Sequence, residues 1–197
     1  MNFLAHIYLS GADEEITIGN FIADGIKGNK YLRQPHKIQK GILLHRAIDT
    51  FTDAHLIVRQ STARLHPKYS HYSGVIVDIL YDHFLAKNWN EYHPQPLMGY
   101  VEEFYQLLQR NFALLPTRIQ RMMPHMVRDN WLLSYATVEG IGTILAQMNV
   151  RTKNKSNMNF AVFELETYYA EFEAEFKAFF SELIEFADHT RNELLNE

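Results

Sequence analysis

A chain of 197 residues, 47% hydrophobic and 21% charged, has ordinary globular composition and is long enough to close one sizeable core. It contains no cysteine, which excludes disulfides, thiolate metal sites and a cysteine nucleophile. The net charge of −4 is unevenly placed: Ser156 to Glu197 holds ten acidic residues against Lys177 and Arg191, leaving the first 155 residues at +4. That mild excess argues against general nucleic-acid binding, which calls for a strongly basic domain. It leaves room for an acidic protein partner or a phosphate ligand.

The N-terminal stretch "MNFLAHIYLSGADEE" is apolar early, but it lacks a basic leader and already carries His6, so it does not read as a signal peptide. No run of about eighteen apolar residues predicts a membrane span, and the expected location is the cytoplasm. Helical spacing then dominates. "HKIQKGILLHRAIDTF" repeats Ile38, Ile42, Leu43, Ala47, Ile48 and Phe51 at steps of three and four. "GVIVDILYDHFLAKNW" contains the β-branched run "VIVDILY", yet its apolar pattern continues through Phe84 and Leu85, which favours a helix. "YVEEFYQLLQRNFALLP" is helical up to Pro116, and Pro124 is expected to bend or restart the helix of "TRIQRMMPHMVRDNWLLSYA". "VEGIGTILAQMNVR" reads as a short helix whose glycines permit close packing. The acidic C-terminal segment, 156–197, reads as one long helix with Tyr168, Phe172, Phe176 and Phe180 at steps of four. Loops are expected at "SGADEE", "KGNKYLRQP", "HPKYSHYSG", "NEYHPQP" and "RTKNKSN". The prediction is a single all-α domain over 1–197, a bundle of about seven to nine helices, with the chemistry concentrated in residues 1–90.

Three segments place groups that resist burial among apolar residues. In the first, "MNFLAHIYLS" and "IGNFIADGIKG" supply His6, Asn20 and Asp24, with Asn20 one turn before Asp24, where it could support a ligand or bind substrate. In the second, "GILLHRAIDTFTDAH" sets His45 and Asp49 one turn apart on one face, with Asp53 continuing the row. Thr52 or Asp53 could instead cap a new helix, so Asp53 and His55 are left open. In the third, "VDILYDHFLA" sets Asp78 and Asp82 one turn apart with His83 adjoining. Carboxylates with imidazoles suit a divalent cation such as Mg²⁺, Mn²⁺ or Fe²⁺. Structural alternatives exist: Asp78 and Asp82 as partners of arginines, and His83 as a satisfied core histidine. His36, His66, His71, His93, His125 and His189 lie near prolines, loops or polar ends and read as surface residues. There is no phosphate loop, dinucleotide fingerprint or nucleophile elbow. Arg64 and Lys68 could bind phosphate, and Arg118 and Arg121 form one local basic edge.

Taken together, "MNFLAHIYLS", "GNFIADGIKG", "GILLHRAIDTFTDAH", "VDILYDHFLAKNW" and "NWLLSYATVEGIGTIL" resemble the acyl carrier protein phosphodiesterases, in order, from Met1 to about Arg151. The resemblance implies hydrolysis of the 4′-phosphopantetheine arm from holo acyl carrier protein, leaving a free serine. It also implies similarity to the helical HD phosphohydrolases and an association with Mn²⁺. The chain departs from the HD order, since it has no His-Asp doublet and only the reversed Asp82-His83. Ligands are therefore expected among Asp24, His45, Asp82 and His83, with His6 and Asp49 next. Asp49, Asp53 or Asp78 would orient a histidine or take the proton of water, and Arg46 and Arg64 would meet the substrate phosphate. The carrier protein would be steered by Arg118, Arg121, Arg128, Lys153 or Lys155. Two other readings stand beside this one: the same site acting on a nucleotide or other small phosphoester, and a non-catalytic helical protein that binds an acyl carrier protein or a membrane-associated partner, its Asp and His residues forming structural ion pairs.

Overall fold

The all-α expectation holds in a computed structural model that describes residues 1–196. Among these, twelve α-helical segments follow one another: α1 Phe3–Leu9, α2 Glu14–Ile22, α3 His36–Ala54, α4 Leu56–Tyr69, α5 Ser73–Lys87, α6 Trp89–Tyr92, α7 Leu97–Arg110, α8 Thr117–Arg128, α9 Trp131–Ser134, α10 Val138–Arg151, α11 Ala161–Thr167 and α12 Tyr169–Asn196. The number exceeds seven to nine because expected loops contain short helices such as α6, and because the C-terminal helix breaks at Tyr168 into α11 and α12. "KGNKYLRQP" is likewise wound, as a 3₁₀ turn over Gly28–Arg33. Pro124 does not restart its helix: α8 runs through it on the exposed side, and ends instead just before Asn130, which takes a left-handed φ of 46°.

The core gathers around α3, α5 and α12. Phe172, Phe176, Phe179, Phe180, Leu183 and Ala187 of α12 are fully buried, because its apolar stripe lies on α3, α4, α5 and α1 of its own chain. Each buried ring contributes about 2–3 kcal/mol. A polar network ties the layers: Glu175 of α12 receives both Arg64 guanidinium nitrogens, at 2.8 and 2.6 Å, and a hydroxyl hydrogen bond from Ser61. Arg64, expected to meet substrate phosphate, is thus committed to a buried carboxylate on another helix.

Two glycines set the geometry that matters most. A Cβ on Gly19 of α2 would sit 2.2 Å from the Ile38 carbonyl oxygen, and one on Gly41 of α3 would sit 2.3 Å from that of Ile16. Only glycine at both positions lets α2 and α3 touch backbone to backbone. Side chains one step further along, Asn20 and His45, are thereby brought within reach of each other. At the end of α3 neither Thr52 nor Asp53 caps the next helix. His55 does, its Nδ1 accepting the Ile57 N–H at 3.3 Å while its Nε2 lies 3.2 Å from Glu182.

Candidate active site

His6 comes from α1, Asn20 from α2, Asp24 from the 3₁₀ turn Ala23–Gly25, and His45 and Asp49 from α3. The two imidazoles stack, with centroids 3.9 Å apart and planes at 20°. Asn20 is completely buried between them. Its Nδ2 donates to the His6 carbonyl (2.9 Å) and to Ser10 Oγ (3.0 Å), so its Oδ1 is the atom turned to the rings. That oxygen lies 2.8 Å from His6 Nδ1 and 3.1 Å from His45 Nδ1. An amide oxygen only accepts, so both Nδ1 atoms carry hydrogen. Both Nε2 atoms are then turned to the opposite side, where Asp49 waits.

There each Nε2 faces its own carboxylate oxygen. His6 Nε2 is 3.2 Å from Asp49 Oδ1, and His45 Nε2 is 3.1 Å from Oδ2. Asp24, largely exposed, adds Oδ1 at 3.3 Å from His45 Nε2. Lone pairs opposed to carboxylate oxygens this closely require a positive charge between them. In the absence of another cation, a proton on His45 supplies it. Burial alone would lower this pKa, but Asp24 and Asp49 outweigh burial and lift it to about 9. His6 goes the other way, to about 4, through burial and the neighbouring His45 charge. Burial would raise Asp49, yet the two imidazoles hold it far below the usual carboxylate range. Asp24 is also lowered, first by its hydrogen bond with His45.

The residues present fit a divalent cation. His6 Nε2 is buried and, despite its closeness to Asp49, makes no hydrogen bond, so a donor atom is left without a partner. His6, His45 and Asp49 offer ligand atoms that all lie within 4.8 Å of one another. Two neutral imidazoles and a carboxylate form a donor set suited to Mn²⁺, Fe²⁺ or Zn²⁺ more than to Ca²⁺.

The other expected ligands stand elsewhere. Asp82 is fully buried, and its oxygens accept the backbone N–H groups of Asn2 (3.2 Å) and Leu4 (2.7 Å). It therefore anchors the start of α1, and burial pushes its pKa up to about 7. His83 turns into the core, its Nδ1 on the Tyr135 carbonyl (2.7 Å) and its Nε2 on the Tyr169 hydroxyl (2.8 Å). Neither nitrogen is free for a cation. Arg46 donates to the carbonyls of Ile26 and Gly28 and lies over the Tyr31 ring, so it fastens the loop after Asp24 instead of facing phosphate. Arg121 is exposed on α8 and does not line the cavity.

A cavity of about 450 Å³ opens over the cluster. Asp24, His45, Asp49, Asp53 and Asp78 form its acidic side, and Asp78 accepts the Met1 amine at 2.9 Å. Arg118 lines it as well, joined by Trp131, Tyr135, Ile144, Met148 and Arg151. Of this second wall, sequence reasoning named Arg118 as a substrate contact and missed the rest. Its residues sit in amphipathic helices with no local mark that separates a cavity face from a core face.

Comparison with known proteins agrees with the geometry. The family model described as acyl carrier protein phosphodiesterase matches residues 1–183. Proteins named acyl carrier protein phosphodiesterase from Photorhabdus laumondii and Pectobacterium atrosepticum are 30% and 29% identical to this chain. The first alignment covers 96% of each chain, and the second covers 95% of this chain and 97% of the relative. A third, from Yersinia pestis, is 28% identical over 96% of this chain and 98% of its own length. No solved structure matches. The chain belongs to the acyl carrier protein phosphodiesterase family and is a phosphodiesterase hydrolase.

Proposed function

We propose that the protein hydrolyses the phosphodiester that joins the 4′-phosphopantetheine arm to a serine of holo acyl carrier protein, with a divalent cation, Mn²⁺ first, held by His6, His45 and Asp49 and approached by Asp24. The observation that carries this reading is the Asn20 amide, which presents both Nε2 atoms to Asp49, itself lining a cavity together with His45. The family's name points to an acyl carrier protein as the substrate. When bound, the cation would lower the pKa of a water and neutralise the non-bridging phosphate oxygens. The donor set also supports kinship with the helical HD phosphohydrolases, reached without their His-Asp doublet.

The chain's own residues then divide the work. Asn20 keeps both rings in one tautomer, the arrangement that leaves Nε2 available. Asp53 faces the cavity, and burial, with the charges of Asp78 and Asp49, raises its pKa. That makes it the group to take the proton of the attacking water. Water oxygen forms the new bond to phosphorus, the bond from phosphorus to the serine oxygen breaks, and that oxygen leaves with a proton. Arg118 and Arg151 offset the charge of the phosphate from the opposite wall. Trp131, Ile144 and Met148 give the arm an apolar surface.

The test is purified protein with Mn²⁺ and holo acyl carrier protein, read by mass spectrometry. Conversion to the apo form, lost on chelation and restored by Mn²⁺, is expected. Turnover of nucleotides with the carrier protein left intact would overturn the substrate assignment.

A further inference from the structure

Beyond the Arg151 rim of the cavity, unpaired lysines lie beside three exposed apolar side chains. After α10 the chain turns through Thr152–Asn157, and this turn is held from inside. Buried Asn149 donates its Nδ2 to Asn154 Oδ1 (3.1 Å) and accepts Ser156 Oγ at its Oδ1 (3.0 Å), while Thr152 Oγ1 meets Ser156 Oγ at 2.8 Å. Lys153, Asn154 and Asn157 take left-handed φ values of 57°, 59° and 54°. Such conformations persist only where surrounding contacts over-determine them. The turn is therefore a fixed platform, and it holds Lys153 and Lys155 out to solvent.

Neither lysine has a carboxylate partner among the described residues. Lys37, Lys68, Lys87 and Lys177 each pair with an aspartate or glutamate, whereas Lys27 and Lys30, in the turn after Asp24, are unpaired as well among the described residues. Beside the platform lie apolar side chains left in water: Val150 of α10, Phe160 of the adjoining 3₁₀ turn and Phe163 of α11, exposed by 67, 53 and 59%. These three elements pack on one another. An exposed apolar strip flanked by unpaired cations marks an interaction site, not a solvated face.

We propose that this α10–α11 face docks the protein that bears the phosphodiester. Lys153 and Lys155 meet acidic side chains of that protein, and Val150, Phe160 and Phe163 meet an apolar strip beside them. The attached arm enters the cavity past Arg151. The proposal rests on the reading of the site given above. A protein is favoured over a lipid surface because the face runs directly into the cavity, whose contents must stay tethered to whatever docks there.

The experiment compares wild type with Lys153→Glu/Lys155→Glu and, separately, Val150→Ser/Phe163→Ser. Holo acyl carrier protein and bis(4-nitrophenyl) phosphate serve as substrates, both with Mn²⁺. Charge reversal should raise KM for the carrier protein about tenfold with kcat nearly unchanged, and should flatten the rise of KM with salt. The apolar variant should raise KM by a similar factor without altering the salt dependence. The small diester, which makes no use of the dock, reports that the active site has survived in each. A wild-type KM for the carrier protein in both variants overturns the dock. Wild type that cleaves the small diester and leaves the carrier protein intact overturns the substrate reading and the dock with it. Sedimentation with phosphatidylglycerol vesicles, abolished by charge reversal while KM stays unchanged, assigns the face to lipid and overturns it too.

Discussion

Helices α3 and α5 carry nearly the same letters. Each sets an acid one turn from another polar group, beside a histidine and amid apolar residues, yet their fates diverge. On α3, His45 and Asp49 face a cavity and converge with a second histidine. On α5, Asp82 and His83 are buried and fully satisfied, one by the backbone of α1 and the other by Tyr135 and Tyr169. The difference lies in what packs opposite. Across from α3 stand a second histidine and an amide that orients both rings, while Asp49 of α3 itself opposes their outer nitrogens. Across from α5 stand groups that complete every hydrogen bond. The α3 pair is the one proposed to hold a cation because its surroundings leave a buried nitrogen unbonded.

Variants can break this contrast, beginning with the largest effect. His45→Ala and Asp49→Ala should each abolish bound Mn²⁺ and lower the conversion of holo to apo carrier protein by well over about a hundredfold. His83→Ala should keep its metal, measured by elemental analysis, and instead lower thermal stability, because it orphans a buried carbonyl. Next comes the crossing that brings the two sides together. Gly41→Ala forces a methyl to within 2.3 Å of a backbone oxygen, and should destabilise the fold by about 3 kcal/mol in a denaturant titration. Asn20→Leu should weaken Mn²⁺ binding about 10–100-fold by calorimetry. In ¹⁵N spectra the histidines of the wild type should be Nδ1-protonated in the Mg²⁺- or Zn²⁺-loaded form, and those of the variant mixed.

The smallest change sharpens the comparison through pH. His45 must shed a proton whose pKa is about 9 before its Nε2 can bind metal. Mn²⁺ affinity should therefore rise about tenfold per pH unit from roughly 6.5 to 9, then level off. The chelated protein should show the opposite trend. A histidine pKa raised on folding stabilises fully below its unfolded value of about 6.5, and that contribution fades as pH climbs towards 9. Melting curves with and without Mn²⁺ should diverge across this window. His6, lowered to about 4, changes stability only below this window: its stabilisation is present above about 6.5 and is lost as pH falls towards 4.

Element type was legible because three-and-four spacing reports a buried helical face; α3 and α10 end close to where that spacing ends, while α7 stops at Arg110, short of the expected Pro116. Boundaries set by distant partners were not legible. Pro124 passes through α8 because its side of the helix meets solvent, which a linear pattern does not display. The site was half legible. His6, Asp24, His45 and Asp49 stood out as costly groups in apolar runs, and they do come together. Asp82 and His83 stood out for the same reason, but what satisfies them lies 52 to 86 residues away along the chain. His55 gave no cap signal, since helix caps are sought among Ser, Thr, Asp and Asn. The dual grip of Asn20 could be suspected from its place one turn before Asp24. Its second ring could not, because that depends on how closely α2 and α3 approach.

That approach has a consequence for how the cation is held. With two glycines locking helix to helix and a buried amide locking both rings, the donor atoms stand assembled before any ion arrives. Little reorganisation entropy is then charged against association, and the affinity measured reflects coordination and proton release almost alone. Such a protein should lose its ion to a chelator and keep its shape, unlike small domains that fold only around their metal. On the metal-dependent reading proposed above, it would be a finished apoprotein that becomes competent on taking up its ion.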